Sequence, residues 1–213
     1  RLPSIGEVIM KYSIIQLPFP LNFREMTRRE ANAYYLWFVE QIPVRISILE
    51  QAVRSTDDSE FQSWAADETI ESLDALGKWF AFHVNLRKRT EKEKEEIYSG
   101  APLWFRRVQI EDWELANETF SLAVDIGIYL GQVFVKNRPG IRWEMLKNSK
   151  NDADYQQPVL VGFGNLVCNP LRLAVTLAYD FARGSQPPGR LRELFELWSG
   201  YVKNPKNEGS LTH

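Results

Sequence analysis

A chain of 213 residues, 44% hydrophobic and 25% charged with a formal net charge of −2, is large enough to bury a full core without disulfides or metal. That slight negative balance argues against a nucleic-acid binder built on a broad cationic face, because neutralising phosphates takes clustered excess Lys and Arg. The one cysteine, Cys168, excludes an internal disulfide, Asp125 interrupts the most hydrophobic region before it reaches the length of about 20 residues that spans a bilayer, and no signal-peptide pattern appears, so the expectation is a cytoplasmic chain with no membrane partner.

The chain opens with an extended lead-in over Ile5 to Leu21, where Pro18 and Pro20 disfavour helix. Thr27 and Glu30 form a T-x-x-E capping box. A helix follows with Tyr34, Trp37, Phe38 and Gln41 on an aromatic face; Pro43 is expected to bend or end it, and Ile46, Leu49 and Val53 continue the pattern. After a polar break at Ser55 to Ser59, Ile70, Leu73, Leu76, Phe80 and Val84 predict a second helical unit reaching Leu86. The sign-alternating run Arg87 to Glu96 reads as a solvated helix face or connector, and Gly100 and Pro102 punctuate the chain.

The segment from Glu111 to Gln132 predicts a long central helix with two apolar lines, Trp113, Ala116, Phe120, Val124, Gly127 and Gly131 on one and Leu115, Leu122, Ile126 and Leu130 on the other. Each interior glycine costs about 1 kcal/mol against alanine, so Gly127 and Gly131 imply the close approach of another backbone. A polar stripe of Glu118, Ser121, Asp125, Tyr129 and Gln132 remains, and Asp125 with Tyr129 reads equally as a functional or a hydrogen-bonded structural pair.

Gln132 to Val135, Ile141 to Leu146 and Val159 to Phe163 predict short strands of an antiparallel sheet, with Lys147 to Gln157 a polar connection. Asn169 and Pro170 start a helix buried through Leu171, Ala174, Leu177, Ala178 and Phe181 and stopped at Gly184. The last helix carries Leu191, Leu194, Phe195, Trp198, Tyr201 and Val202, and from Asn204 the pattern is lost. The predicted fold is a helix-dominated α+β single domain over 1–213, with an N-terminal helical layer (22–98) packed on a C-terminal helix-and-sheet unit (103–203) and a frayed tail (204–213).

Chemistry is sparse. Metal centres need several His or Cys at set spacings, and only His83, His213 and Cys168 are present. No metal, cofactor or catalytic residue is expected. His83 falls on a mostly apolar helix face and reads as structural. Cys168 precedes a helix start, a position that can lower a thiol pKa, but no nucleophile elbow or triad accompanies it. Gly162 and Gly164 read as a strand end and turn, since no phosphate-loop lysine follows. Trp104, Phe105, Arg106 and Arg107 combine aromatics with cations, suited either to stacking on a ligand or to core packing with neighbouring ion pairs.

Two stretches together resemble small bacterial proteins of the immunity-protein type, which join an ESL..L..WF helix to a D.G.YLGEV....G..W helix-and-strand unit. Here the first is Glu71-Ser72-Leu73 through Trp79-Phe80, and the second is Asp125-Ile126-Gly127-Ile128-Tyr129-Leu130-Gly131-Gln132-Val133 followed by Trp143-Glu144. Gln132 departs from that pattern, standing where an acidic residue is expected. The resemblance implies a cytoplasmic bacterial protein without catalysis that acts by binding a protein partner, a toxin among the candidates. The residues expected to bind are Asp125, Tyr129, Trp143, Glu144, Arg106 and Arg107, since binding energy concentrates in a few Trp, Tyr and Arg anchors. Two alternatives stand beside it: an enzyme taking a small molecule or nucleotide in a cleft with Asp125, Tyr129 and Glu144, and a structural homo-oligomer subunit.

Overall fold

The computed structural model describes residues 12–100 and 110–202. Trp104, Phe105, Arg106, Arg107, His213 and the tail from Asn204 therefore lie outside the described residues. The Thr27 hydroxyl accepts from the Glu30 N–H, and the Glu30 carboxylate accepts from the Thr27 N–H at 2.8 Å. The box read from the sequence thus caps helix α1 (Arg28–Arg54). α1 buries Phe38, Ile42, Arg45, Leu49 and Val53 on its inner face. It runs through Pro43 without the expected end. Pro43 and Val39, whose carbonyl loses its partner to the proline, both lie on the exposed face where solvent satisfies that carbonyl.

A short α2 (Ser59–Gln62) and α3 (Ser72–Phe82) follow, then β1 (Leu86–Lys88), α4 (Glu91–Gly100) and β2 (Trp113–Leu115). The long central helix is α5 (Asn117–Asn137), succeeded by β3 (Arg142–Met145), β4 (Pro158–Phe163), β5 (Leu166–Cys168), α6 (Pro170–Ala182) and α7 (Arg190–Ser199). β1 pairs antiparallel with β2, and β3, β4 and β5 form a three-stranded antiparallel sheet in that order. The fold is α+β and helix-dominated, as predicted.

α5 is the hub, packed against α6, α1, α7 and β3. One cluster of buried side chains joins Leu49 and Val53 of α1, Trp79 and Phe80 of α3, Tyr129 and Phe134 of α5, Phe163 of β4 and Phe195 of α7. By length and composition alone α5 would span a membrane, which the sequence reading denied, but most of its apolar length is buried inside the protein. The close approach inferred from its glycines is real at Gly127, where an added Cβ would stand 2.6 Å from Leu171 Cα and 2.7 Å from the Pro170 carbonyl oxygen. At Gly131 the neighbour is a side chain instead: the Cβ would lie 2.1 Å from Cζ2 of Trp143.

Three elements differ from expectation. Gln132 to Val135 is the last part of α5 rather than a strand, because helical continuation carries Val133 and Phe134 into the core, with Phe134 edge-on to Phe163 at 5.4 Å. Trp113 and Leu115 stand on β2 rather than on the central helix. Ala116 is the N-cap and offers no side-chain acceptor, so the strand-to-helix change has no sequence signature. The charged run after Leu86 divides into a strand and a helix, because Thr90 and Glu93 form a second capping box (Glu93 accepting from the Thr90 N–H at 2.8 Å). The turn at Gly164 is as expected, its φ of +67° closing a hairpin between β4 and a β5 that the pattern did not reveal. Tyr201 lies beyond the end of α7 and is exposed, off the stripe assigned to it.

Candidate functional site

The polar stripe of α5 fastens the fold together. Ser121, Asp125, Tyr129 and Gln132 are each hydrogen-bonded to another part of the chain, whereas Glu118 has no such partner among the described residues. Ser121 Oγ accepts from the Ile15 N–H at 3.1 Å, which holds the lead-in. Asp125 accepts two bonds from Arg45 of α1, from Nε at 2.8 Å and Nη2 at 2.7 Å, and a third from the Tyr12 hydroxyl. The Tyr129 hydroxyl accepts from the Glu68 N–H at 2.9 Å and bonds Ser72 Oγ at 2.7 Å, fixing the loop that enters α3. Gln132 Oε1 accepts from the Trp143 indole N–H at 3.0 Å, fixing β3.

Asp125 and Tyr129 are both 0% exposed. Neither stands on a surface, and they share no partner, so they do not form the hydrogen-bonded pair weighed from the sequence: each is bonded separately to other elements. Burial pushes the Asp125 carboxyl up to about 6, against the lowering pull of Arg45 and Tyr12. It drives the Tyr12 hydroxyl far above its ordinary range and Tyr129 up to about 12. For Arg45, burial pulls downward but the bonds and charge of Asp125 outweigh it, so the guanidinium stays charged. Cys168, just before the α6 N-cap, ends β5 fully buried, and burial raises its thiol to about 12, the reverse of the lowering such a position can give. His83 caps α3, with Nδ1 2.7 Å from the Trp79 carbonyl oxygen and its ring stacked on Trp79 at 4.3 Å. Among the described residues no three His, Cys, Asp or Glu side chains gather as a metal site.

A cleft of about 510 Å³ opens where α1 crosses the three-stranded sheet. Asn32 and Tyr35 come from α1, Glu144 and Met145 from β3, Leu146, Lys147 and Asn148 from the following loop, and Val161 and Val167 from β4 and β5. Trp143 is next to Glu144 on β3 and does not itself line the cleft. Its ring packs edge-on to Phe38 at 5.0 Å, and its carbonyl accepts from the Tyr35 hydroxyl at 2.8 Å. Burial and then the neighbouring charge of Glu144 raise the Tyr35 hydroxyl, which keeps it a neutral donor. Glu144 itself pairs with Arg142 on the strand. Of the six residues singled out in the sequence, Glu144 lines the cleft, and Trp143 stands beside it on β3, its carbonyl bonded to the cleft residue Tyr35. Asp125 and Tyr129 are in the core, and Arg106 and Arg107 are outside the described residues.

The two walls of the cleft are joined behind its mouth. Gln156, 2% exposed and held at φ +62°, donates from Nε2 to the carbonyls of Phe23 at 2.6 Å and Met26 at 3.0 Å. Its own N–H bonds the Leu146 carbonyl at 2.8 Å, so one side chain ties the turn before α1 to the loop after β3. A second hollow of about 350 Å³, lined by Arg89, Glu93, Glu96, Ile97 and Glu114, is internally neutralised: Arg89 pairs with Glu114 at 2.5 Å and Arg87 with Glu93 at 2.6 Å.

No protein-family model, curated protein or solved structure matches the chain.

Sequence reasoning missed Asn32, Tyr35, Arg45 and Gln156. A signal existed for Arg45, which stands as the one charge among Phe38, Ile42, Leu49 and Val53 on a buried stripe and therefore calls for an opposite charge on the element packed against it. Tyr35 and Asn32 carry no such signal, because they sit on the side of α1 that the aromatic pattern leaves unassigned.

Proposed function

We propose that the protein is a non-enzymatic binding protein that occludes a protein partner, in the manner of the immunity type, and that the cleft between α1 and the three-stranded sheet is the contact. The observation that supports this reading is the helix face beside the cleft. Continuing the line of Asn32 along α1, Leu36 is 55% exposed, Val39 41% exposed, and Pro43 lies on the same exposed side. On a helix otherwise built to bury its apolar residues, such a stripe next to a preformed cleft has the layout of an interface: apolar centre, polar rim of Asn32, Glu144 and Lys147. Tyr12, Asp125, Tyr129 and Cys168, all strongly shifted by burial, serve the core and none of them lines the cleft. Glu93, lowered to about 2 by Arg87 and the Thr90 cap, lies in the other hollow, and of the cleft residues Tyr35 is raised by burial and Glu144. That arrangement favours recognition over the carboxylate and tyrosine chemistry that an enzyme would place there.

The test is capture of a stoichiometric partner from the source cell by the wild-type chain and by Leu36→Asp/Val39→Asp. Both positions are exposed, so the variant is expected to keep its thermal melt and lose the partner. Retention of the same partner by the folded variant would remove α1 from the interface.

A further inference from the structure

The rim of the cleft has a charge character that the whole chain lacks. Carboxylates outnumber cations, 28 Asp and Glu against 26 Lys and Arg. Yet Arg24, Arg28 and Arg29 before and at the start of α1, and Lys147 and Lys150 in the loop after β3, are all exposed and form no ion pair among the described residues. The side chain of Gln156 brings these two segments together through Phe23 and Met26. Arg28 and Arg29 lie one turn before Asn32, which shares the cleft with Lys147.

The carboxylates of the same segments keep their charge but are fewer: Glu25, Glu30 and Asp152, each hydrogen-bonded locally, stand as three against the five cations. Glu25 accepts from Asn22 Nδ2 at 2.7 Å, Glu30 closes the cap of α1, and Asp152 accepts from the Asp154 N–H at 2.9 Å. Asp154 accepts from Asn169 at 2.8 Å and is neutralised by Arg172 at 2.9 Å. The α1 N-terminus adds its own positive dipole end at the same place.

Resting on the binding reading above, we infer that the segment this cleft takes is an acidic one: a partner surface or peptide that seats apolar side chains on Leu36, Val39 and Pro43 and places carboxylates against Arg24, Arg28, Arg29, Lys147 and Lys150. Nucleic acid would use the same cations, but the rest of the site opposes it. Glu144 stands inside the cleft, Val161 and Val167 form its floor, and the contiguous helix face is apolar, none of which meets a phosphate backbone. Unlike charges across such a rim steer the encounter and reject basic partners.

The experiment uses the full chain and three labelled probes: a synthetic amphipathic peptide with Leu at i, i+3 and i+7 and Glu elsewhere, the same peptide with Lys for Glu, and a single-stranded oligonucleotide of matched charge. The acidic peptide is expected to bind, to weaken roughly tenfold in Arg28→Glu/Arg29→Glu, and to weaken steadily as salt is raised, since exposed charges are screened. Both substitutions are on exposed side chains at a helix N-terminus, where a carboxylate suits the dipole, so the variant remains folded. Binding of the Lys peptide as tightly as the Glu peptide, absence of binding by the Glu peptide, or indifference to the arginine reversal would overturn the inference. Tighter binding of the oligonucleotide would replace it with a nucleic-acid reading. A cellular partner that survives the arginine reversal but is lost in Leu36→Asp/Val39→Asp would leave the binding reading standing and remove only its acidic character.

Discussion

Arg45 and Asp125 show how a single pair sets the chemistry of the interior. Arg45 is the one charge on an otherwise apolar face of α1 and Asp125 the buried charge of the α5 polar stripe, and together with Tyr12 they bind α1, α5 and the lead-in at one point. A buried ion pair contributes little net stability against an apolar equivalent, but removing one partner strands the other. Arg45→Met leaves the Asp125 carboxylate buried with only the Tyr12 hydroxyl, so stability at about pH 7.5 is expected to fall by about 3–5 kcal/mol. The sign of the pH dependence follows from the direction of the shift. Burial already raises the Asp125 carboxyl to about 6 from an ordinary 3.8, and losing the guanidinium raises it further. A group raised in the folded state gives its full contribution below its ordinary value and loses it as pH rises through the folded one. The variant therefore recovers part of its loss as pH is lowered toward about 5, which urea unfolding at the two pH values would show. An equal deficit at both would mean that Asp125 does not ionise in the folded protein.

Among the elements, α4 is held differently from the rest. It has no buried residue, and its start depends on the Thr90 and Glu93 capping box and on Lys94 bridging Glu91 at 3.0 Å and Asp112 at 2.5 Å. Helices of this length are marginal without packing. Thr90→Ala is expected to cost about 1 kcal/mol locally and to speed amide exchange in α4 roughly fivefold, with α5 and α6 unchanged. Uniform acceleration across the protein would show that α4 is coupled to the global core. The elements also show where sequence reading succeeds. α1, α3, α6 and α7 were legible because buried residues recur every three or four positions; caps mark the starts of α1 and α6, whereas α3 and α7 begin without a side-chain cap and α3 ends at Phe82, short of the expected Leu86. β5 and the strand half of the charged run were not, since three-residue strands contain too little period to register. The end of α5 was misread because Val133 and Val135 favour strand locally while core packing of Val133 and Phe134 holds them in helix.

At the scale of the whole molecule, one helix organises both stability and the candidate site. α5 uses its polar groups inward, to fasten the lead-in, α1, the α3 entry and β3, and this is why the stripe that looked like a site in the sequence is core. The cleft lies one layer out, on Asn32 and Tyr35 of α1 and on β3, and of its lining the sequence singled out Glu144 alone. Its walls come from segments more than a hundred residues apart joined by Gln156, a juxtaposition that no local pattern encodes. The central claim, that a protein partner seats on this cleft and the adjoining α1 face, is tested most directly by a photoreactive residue placed at Val39 and, as control, at Lys78 on α3. Irradiation in the source cell is expected to give one dominant crosslinked protein from Val39 and none of it from Lys78. Equal crosslinking from both positions, or none from Val39, would contradict the account.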